Sequence, residues 1–401
     1  MHQRLNPTTA AKLLAASLIV SVSLAGNGGF GTATPAQAAE SSTAQGCQTA
    51  AKGAMWNACG YDPAYAFRKI HLDFCGRSPT RAESDAFGVL RAKPAAWRPA
   101  LGQALDECLK SRYWLGVDGV VWNMANPKIG PTSSIKAGDK AGPIPLADYE
   151  WDYNLYSYDN SGDQDVRDLL TAQYFVSRTS DAPPSFKRLT EAELALNRGA
   201  RGQPVPSDRR VGMLTTHWFT TLNTMFTAIP RTTAAQAYRQ YLGHDIAKVQ
   251  GLHPVLKEPV DYDAKGVQAP ACSGCHSTLD PLTYPFSRYN GISAGTYASN
   301  RLNNYVRTDG ARVVEAPEAG MLLGKPVKDL VEWGQVAANS DDFAQNVVSD
   351  YWKELIGRAP NKADTAEYAV LWKDLMSPTG SNYRVEKMLH KLVLTNAYAA
   401  P

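Results

Sequence analysis

The chain has 401 residues, of which 44% are hydrophobic and 20% charged, with a formal net charge of +3. This composition excludes an intrinsically disordered protein, which has too little apolar content and too much charge to form a core. Nor does the charge balance provide the polybasic surface of a nucleic-acid or acidic-polymer binder, so no nucleic acid is expected as partner.

Residues 1–38 bear on the compartment. Arg4 and Lys12 give a basic start, "LLAASLIVSVSLAG" a short apolar run, and Ala36-Gln37-Ala38 the small residues that signal peptidase requires. The expectation is a cleaved signal peptide and a secreted or periplasmic protein, near neutral once Arg4 and Lys12 are gone. The apolar run is shorter than the ~20 residues a bilayer span needs. No later stretch is apolar enough, so no transmembrane segment is expected after cleavage. In an oxidising compartment an even number of cysteines reads as disulfides. Cys47, Cys59, Cys75 and Cys108 cluster near the N-terminus and are assigned to two bridges, most simply Cys47–Cys59 and Cys75–Cys108, though sequence alone allows three pairings.

In 39–126 a helical unit is expected. "PTRAESDAFGVL" carries Thr80 as N-cap with Glu83 three residues on, the spacing of a capping box. In "AAWRPALGQALDECLKSRYW", Leu101, Leu105, Cys108, Leu109 and Trp114 recur at helical spacing, which puts Cys108 on the buried side. Residues 127–210 turn Gly-, Pro- and Ser-rich around "YEWDYNLYSYDNSGDQD" and read as a loop-rich aromatic segment wrapping the surface. Tyr149, Trp151 and Tyr153 alternate as in a short strand; irregular aromatic packing is the plain reading, and a stacking platform for a carbohydrate ligand the alternative. Asp159, Ser161, Asp163 and Asp165 resemble the start of a calcium loop. Gln164 stands where that loop needs Gly and Leu170 where it needs an acid, so a solvated acidic turn is expected.

Residues 211–334 form the next unit. "RRVGMLTTHWFTTLNTMF" and "TTAAQAYRQYLGHDIAKV", the second begun at Thr232 or Thr233, read as two helices leading to "APACSGCHSTLDPLTYPF", with loops from there to about Gly334. Two thiols three residues apart face the same way in one helical turn, so Cys272 and Cys275 can each add to one vinyl group of a haem. His276, next in the chain, then reaches the iron as proximal ligand. One covalent haem c is therefore the expected cofactor. A zinc site would need a second pair of ligands, and the histidines His71, His217, His244, His253 and His390 are scattered. A plain Cys272–Cys275 bridge is the remaining alternative. Residues 335–401 read as three helices, the first with Ser340 as N-cap, a stripe through Phe343, Val347, Val348, Trp352 and Leu355, and Gly357 as stop. The fold class is thus mainly α: helical N-terminal, haem-bearing and C-terminal units with a loop-rich central segment.

"CSGCHSTLDPLTYPFSRYNGISAG" resembles the haem stretch of the planctomycete-type secreted cytochrome c proteins, in which Cys-x-x-Cys-His is followed by Asp-Pro, then Phe, an aromatic and Gly. Asp280-Pro281, Phe286, Tyr289 and Gly291 occupy those places. "RRVGMLTTHWF" is similar to that family's helix before the haem, "DDFAQNVVSDYWKELIGRAPNKAD" to its C-terminal helical domain and "HLDFCGRSPTRAESDAF" to the opening of its N-terminal one. Residues 127–205 do not match, and "SRYN" replaces the usual stretch before Gly291. The resemblance implies a secreted haem protein and little about its reaction.

The second axial ligand separates the functional readings. An electron carrier fills it with Met or His, and an enzyme leaves it open. Met321, in the Gly-flanked loop "PEAGMLLGKP", is the favoured distal metal ligand, with His217 the alternative and Met213 and Met225 further candidates. Electron transfer to an unidentified redox partner protein leads. A haem enzyme of peroxidase or oxidase type, drawing on Arg209, Arg210 and His217, and a cell-surface binding protein with a structural haem are the other readings.

Overall fold

A computed structural model describes residues 60–196, 205–224, 229–248, 253–289, 297 and 316–400. The expected signal peptide, Cys47, Cys59, Met225 and Gly291 lie outside the described residues. Of the described residues, 57% are helical, with two short two-stranded sheets. The protein is mainly α, as its periodicity indicates. Among the described residues no helix is long and apolar enough to cross a membrane.

The N-terminal helices follow from their caps. Asp62 accepts from the amides of Ala64 and Tyr65 to open Pro63–Cys75, and left-handed Gly76 closes it. Thr80 and Glu83 form the expected reciprocal capping box at the start of Arg81–Leu90. The next helix, Pro94–Cys108, buries Leu101, Leu105 and Cys108, and Cys108 is bonded to Cys75. That bridge ties the C-terminal ends of two helices whose buried faces already meet.

The described residues of the region 127–210, namely 127–196 and 205–210, are more helical and more buried than expected. Glu150–Asp159 is an α-helix, not a strand, and it buries Tyr153, Leu155 and Tyr156 together with Asp152, Asn154, Ser157 and Asp159. Its aromatics are consumed by internal packing. Tyr153 stacks on Trp122 at 4.2 Å, Tyr149 meets Trp218 edge-on at 4.8 Å, and Trp151 faces Phe175 at 6.1 Å. These contacts tie the rings into the fold, the plain packing reading of the segment. Strand alternation failed as a guide because this helix is enclosed on nearly every side and has no polar face to give it a 3.6-residue signature. An antiparallel hairpin, Val176–Asp181 with Pro184–Arg188, follows.

The acidic turn is also only partly solvated. Asp163 is exposed beside Arg384 and Lys387, while Asp165 is held by Arg167 and Arg384. Asp159 is fully buried. The hydroxyl of Tyr174 lies 3.0 Å from Asp159 Oδ1 and 2.6 Å from Asp168 Oδ2. A phenol has one proton to donate, so the two carboxyls are reconciled when Asp159 carries a proton of its own. Burial, then the neighbouring Asp168, push the Asp159 pKa well above its ordinary value.

Of the two helices expected between 209 and 250, the first starts late. Gly212, at φ +48°, sits against the carbonyls of Asp168 and Leu169 and breaks the path into 3-10 turns, leaving His217–Thr224 as the α-helix. The second, Arg231–Ala237, widens into a π-turn at Tyr238–Leu242 that ends on left-handed Gly243. A helix the loop reading missed, Leu330–Ala338, contains Gly334, where a Cβ would lie 2.4 Å from the Leu170 carbonyl oxygen. The C-terminal helices Asp341–Ile356, Thr365–Met376, Val385–Leu392 and Asn396–Ala399 follow, the first with the Ser340 cap, the Gly357 stop and the whole expected apolar stripe buried.

One continuous apolar core runs from Ala66 to Ala399. It crosses each of the unit boundaries drawn from the sequence. The two ends of the described chain are joined: Asp62 N–H donates to Ala399 O at 3.0 Å, and Tyr61 Oη to Val393 O at 3.0 Å.

Replacing Cys75 and Cys108 together by Ala is expected to lower stability by about 2–4 kcal/mol, measured by denaturant unfolding with and without reductant. Asp159→Asn tests the protonated carboxyl. The raised native pKa means that, above the ordinary carboxyl value of 3.8, the native state keeps a proton the unfolded state has lost. Wild-type stability therefore falls as pH rises from there toward the native pKa. The variant should lack that component, so its stability relative to wild type should increase with pH; parallel pH profiles would contradict the assignment.

Candidate functional site

The Cys-x-x-Cys-His motif occupies the first turns of the helix Pro270–Thr283, which opens on Pro270. Proline is tolerated there because that amide has no intrahelical partner to lose. At about 100° per residue, Cys275, Cys272 and His276 fall within one sector roughly 100° wide, with Cys272 between the other two. Both thiols are free, Cys272 partly buried and Cys275 exposed. The Cys272–Cys275 bridge is not formed.

His276 is held from behind. Its Nδ1 lies 2.9 Å from Asp280 Oδ1, one helical turn on. Asp280 is almost fully buried and is gripped by Arg231, which donates from Nε to Oδ1 and from Nη2 to Oδ2, each at 2.8 Å. Arg231 Nη1 donates to Asp263 Oδ2 at 3.0 Å. Burial works to lower the Arg231 pKa, but its bonds to Asp280 and Asp263 outweigh this and raise it. Paired twice with the guanidinium, Asp280 faces His276 as an acceptor, so in the neutral imidazole Nδ1 carries the proton and Nε2 keeps the lone pair. Such an outer carboxylate is what orients a metal-binding imidazole and sets its tautomer.

Pro281 shapes the surroundings. It has no N–H for the carbonyl of Ser277, four residues back, and that carbonyl instead accepts from Val255 N–H at 3.0 Å. The connector preceding the motif is thereby tied to its helix. The Tyr284 hydroxyl adds a second tie, donating to Glu258 Oε2 at 2.7 Å.

A cavity of about 910 Å³ opens beside the Thr278 and Leu282 face of this helix, with Tyr238, His244, His253, Val255 and Met321 among its walls. It lies about 100° round the helix from Cys272, on the Cys275 side. Its volume is at the upper end of the ~300–1,000 Å³ of small-molecule and cofactor pockets.

Met321 reaches this wall on the strand Gly320–Leu322, paired antiparallel with Lys325–Val327. The strand presses on the motif helix so closely that a Cβ on Gly320 would lie 2.4 Å from Pro281 O. Tyr238 Oη donates to Met321 O at 3.1 Å. His217 begins a different helix and is not among the cavity walls. The helix Arg231–Ala237 packs against both that helix and the motif helix. Met213 is buried in the main core. Arg210 is committed to Glu191 and to the carbonyls of Val205 and Gln173, and Arg209 lies beside Asp329 and the Tyr297 ring. Arg209 and Arg210 thus have partners of their own other than Cys272, Cys275 and His276.

His244 and His253, passed over in the sequence as scattered, both line the cavity. No spacing announces them. The left-handed turn at Gly243 and the Val255–Ser277 bond bring them there, and His244 Nε2 lies 3.0 Å from Asp342 Oδ1. Among the described residues no three His, Cys, Asp or Glu side chains are grouped to hold a metal ion.

Gly320→Ala should force the Met321 strand off the motif helix and cost about 1–3 kcal/mol of stability, read by thermal unfolding. A neutral effect would show that the contact can relax. No protein-family model, no curated protein and no solved structure matches this chain.

Proposed function

We propose that this is a secreted, monohaem c-type cytochrome-like protein that transfers electrons. Cys272 and Cys275 would hold the haem through thioethers, and His276 would bind its iron through Nε2. The observation that carries this reading is the bond from His276 Nδ1 to buried Asp280, which leaves Nε2 as the ligating nitrogen on the same helix face as two free thiols. When bound, the haem supplies one-electron ferric–ferrous chemistry. The chain's own groups would tether it and orient the imidazole. A covalent tether also suits a protein outside the cytoplasm, where a lost cofactor is not replaced.

Met321 is the favoured distal ligand. Its strand is pressed against the motif helix and its residue lines the adjoining cavity, whereas His217 lies on another element. A second reading, a haem enzyme, draws support from the size of that cavity and from His244 and His253 in its walls.

The mature protein should retain one haem after acid-acetone denaturation, and Cys272→Ala with Cys275→Ala should abolish it. A denatured chain of bare polypeptide mass would refute the proposal. Met321→Ala should convert a low-spin spectrum to high-spin, increase carbon monoxide binding and lower the potential, while His217→Ala should leave all three nearly unchanged. A wild-type protein already high-spin, open to carbon monoxide and turning over peroxide would move the assignment to the enzyme.

A further inference from the structure

We infer that Asp280, Arg231 and Asp263 are positioning residues that keep His276 in its iron-binding tautomer and hold the reduction potential down; this rests on the haem reading above. The geometry is a file of charges leading inward from the imidazole: Asp280, doubly bonded to Arg231, then Asp263 on the far side of the guanidinium. Two carboxylates against one guanidinium leave one net negative charge behind the imidazole.

That charge is poorly shielded. The Asp280 and Asp263 side chains are 1% and 5% exposed, and Asp263 Oδ1 has no hydrogen-bond partner among the described residues. Buried charges are screened far less by water and salt than exposed ones. Negative charge near the iron stabilises the ferric state, which carries one positive charge more than the ferrous. Arg231 moderates the effect by neutralising one carboxylate, so the three residues act as a set.

A further reason to assign a tuning role is economy of structure. A buried ion pair can be replaced by apolar side chains of similar volume with little loss or some gain in stability, so stability alone does not require charge here. The file also ends on the one side chain of the motif that binds iron.

The test is a spectroelectrochemical titration of the intact haem-loaded protein beside Asp280→Asn, Asp263→Asn and Arg231→Gln. Removing either carboxylate should favour the ferrous state by roughly tenfold, about 59 mV for one electron, and removing the guanidinium should shift it oppositely. Asp263→Asn is the safeguard if Asp280→Asn fails to fold, since Asp263 bonds Arg231 and not the histidine. A merely structural role would lower the unfolding temperature while leaving the potential in place. Unchanged potentials in folded, haem-loaded carboxylate variants overturn the inference. The mass of the denatured wild-type chain, taken first, separates this failure from failure of the haem reading: a bare polypeptide overturns both, and a haem-bearing chain with unshifted variants overturns only the tuning.

Discussion

The ion pair between Arg231 and Asp280 is the contact on which the geometry of the site depends. Asp280 is at once the outer partner of His276 and the anchor for a second helix, because Arg231 comes from a segment 49 residues earlier. A carboxylate this deeply buried is tolerable only when paired, and stripping one partner from such a pair typically costs about 3–5 kcal/mol. The helix Arg231–Ala237 is thereby locked against the motif helix, and the imidazole is oriented by the same oxygen that receives the guanidinium Nε. The residue after Asp280 extends the control. Pro281 frees the Ser277 carbonyl, which then captures the connector at Val255.

The motif helix thus has three differently equipped sides. One presents two thiols and the imidazole. A second, around Asp280, carries the buried charges. The third, around Thr278 and Leu282, opens on the cavity, and the Gly320 strand closes in near the helix end with Met321. A π-turn contributes as well: by widening the backbone at Tyr238–Leu242 it buries Tyr238, Tyr241 and Leu242 together, and Tyr238 hydrogen-bonds the Met321 carbonyl. Trp333 in turn donates to the Tyr238 hydroxyl at 3.3 Å. The wall bearing Met321 is therefore held through Tyr238 by the core itself.

The rest of the molecule is built to keep that scaffold rigid. The N-terminal helices, stapled by Cys75–Cys108, share a core with the last helix of the described chain, and the buried helix Glu150–Asp159 lies within it. Two polar pairs inside this core are closed by specific hydrogen bonds: Asp152 accepts from Thr216 Oγ1 at 2.5 Å, and Tyr351 Oη donates to Asn160 Oδ1 at 2.9 Å. Satisfied internal networks of this kind specify one packing among many apolar ones.

Local signals were legible in the sequence wherever the physics is local. The Thr80–Glu83 capping box, the Ser340 cap, the Gly357 stop, the stripe from Phe343 to Leu355 and the inward face of Cys108 each depend on neighbours within a turn or two, and all stand as read. The spacing of Cys272, Cys275 and His276 is likewise a property of one helical turn. What the sequence could not supply depends on distant partners. Glu150–Asp159 is a helix because surrounding elements enclose it, and enclosure erases the amphipathic pattern by which a helix is recognised. Gly334 lies within a helix because the Leu170 carbonyl needs the space, and Arg210 serves structure because Glu191 is there to receive it. His244, His253 and Met321 share a cavity through contacts with the motif helix that no periodicity encodes. Only the folded chain could bring Arg231 to Asp280, since pairing two buried charges is a property of the tertiary structure.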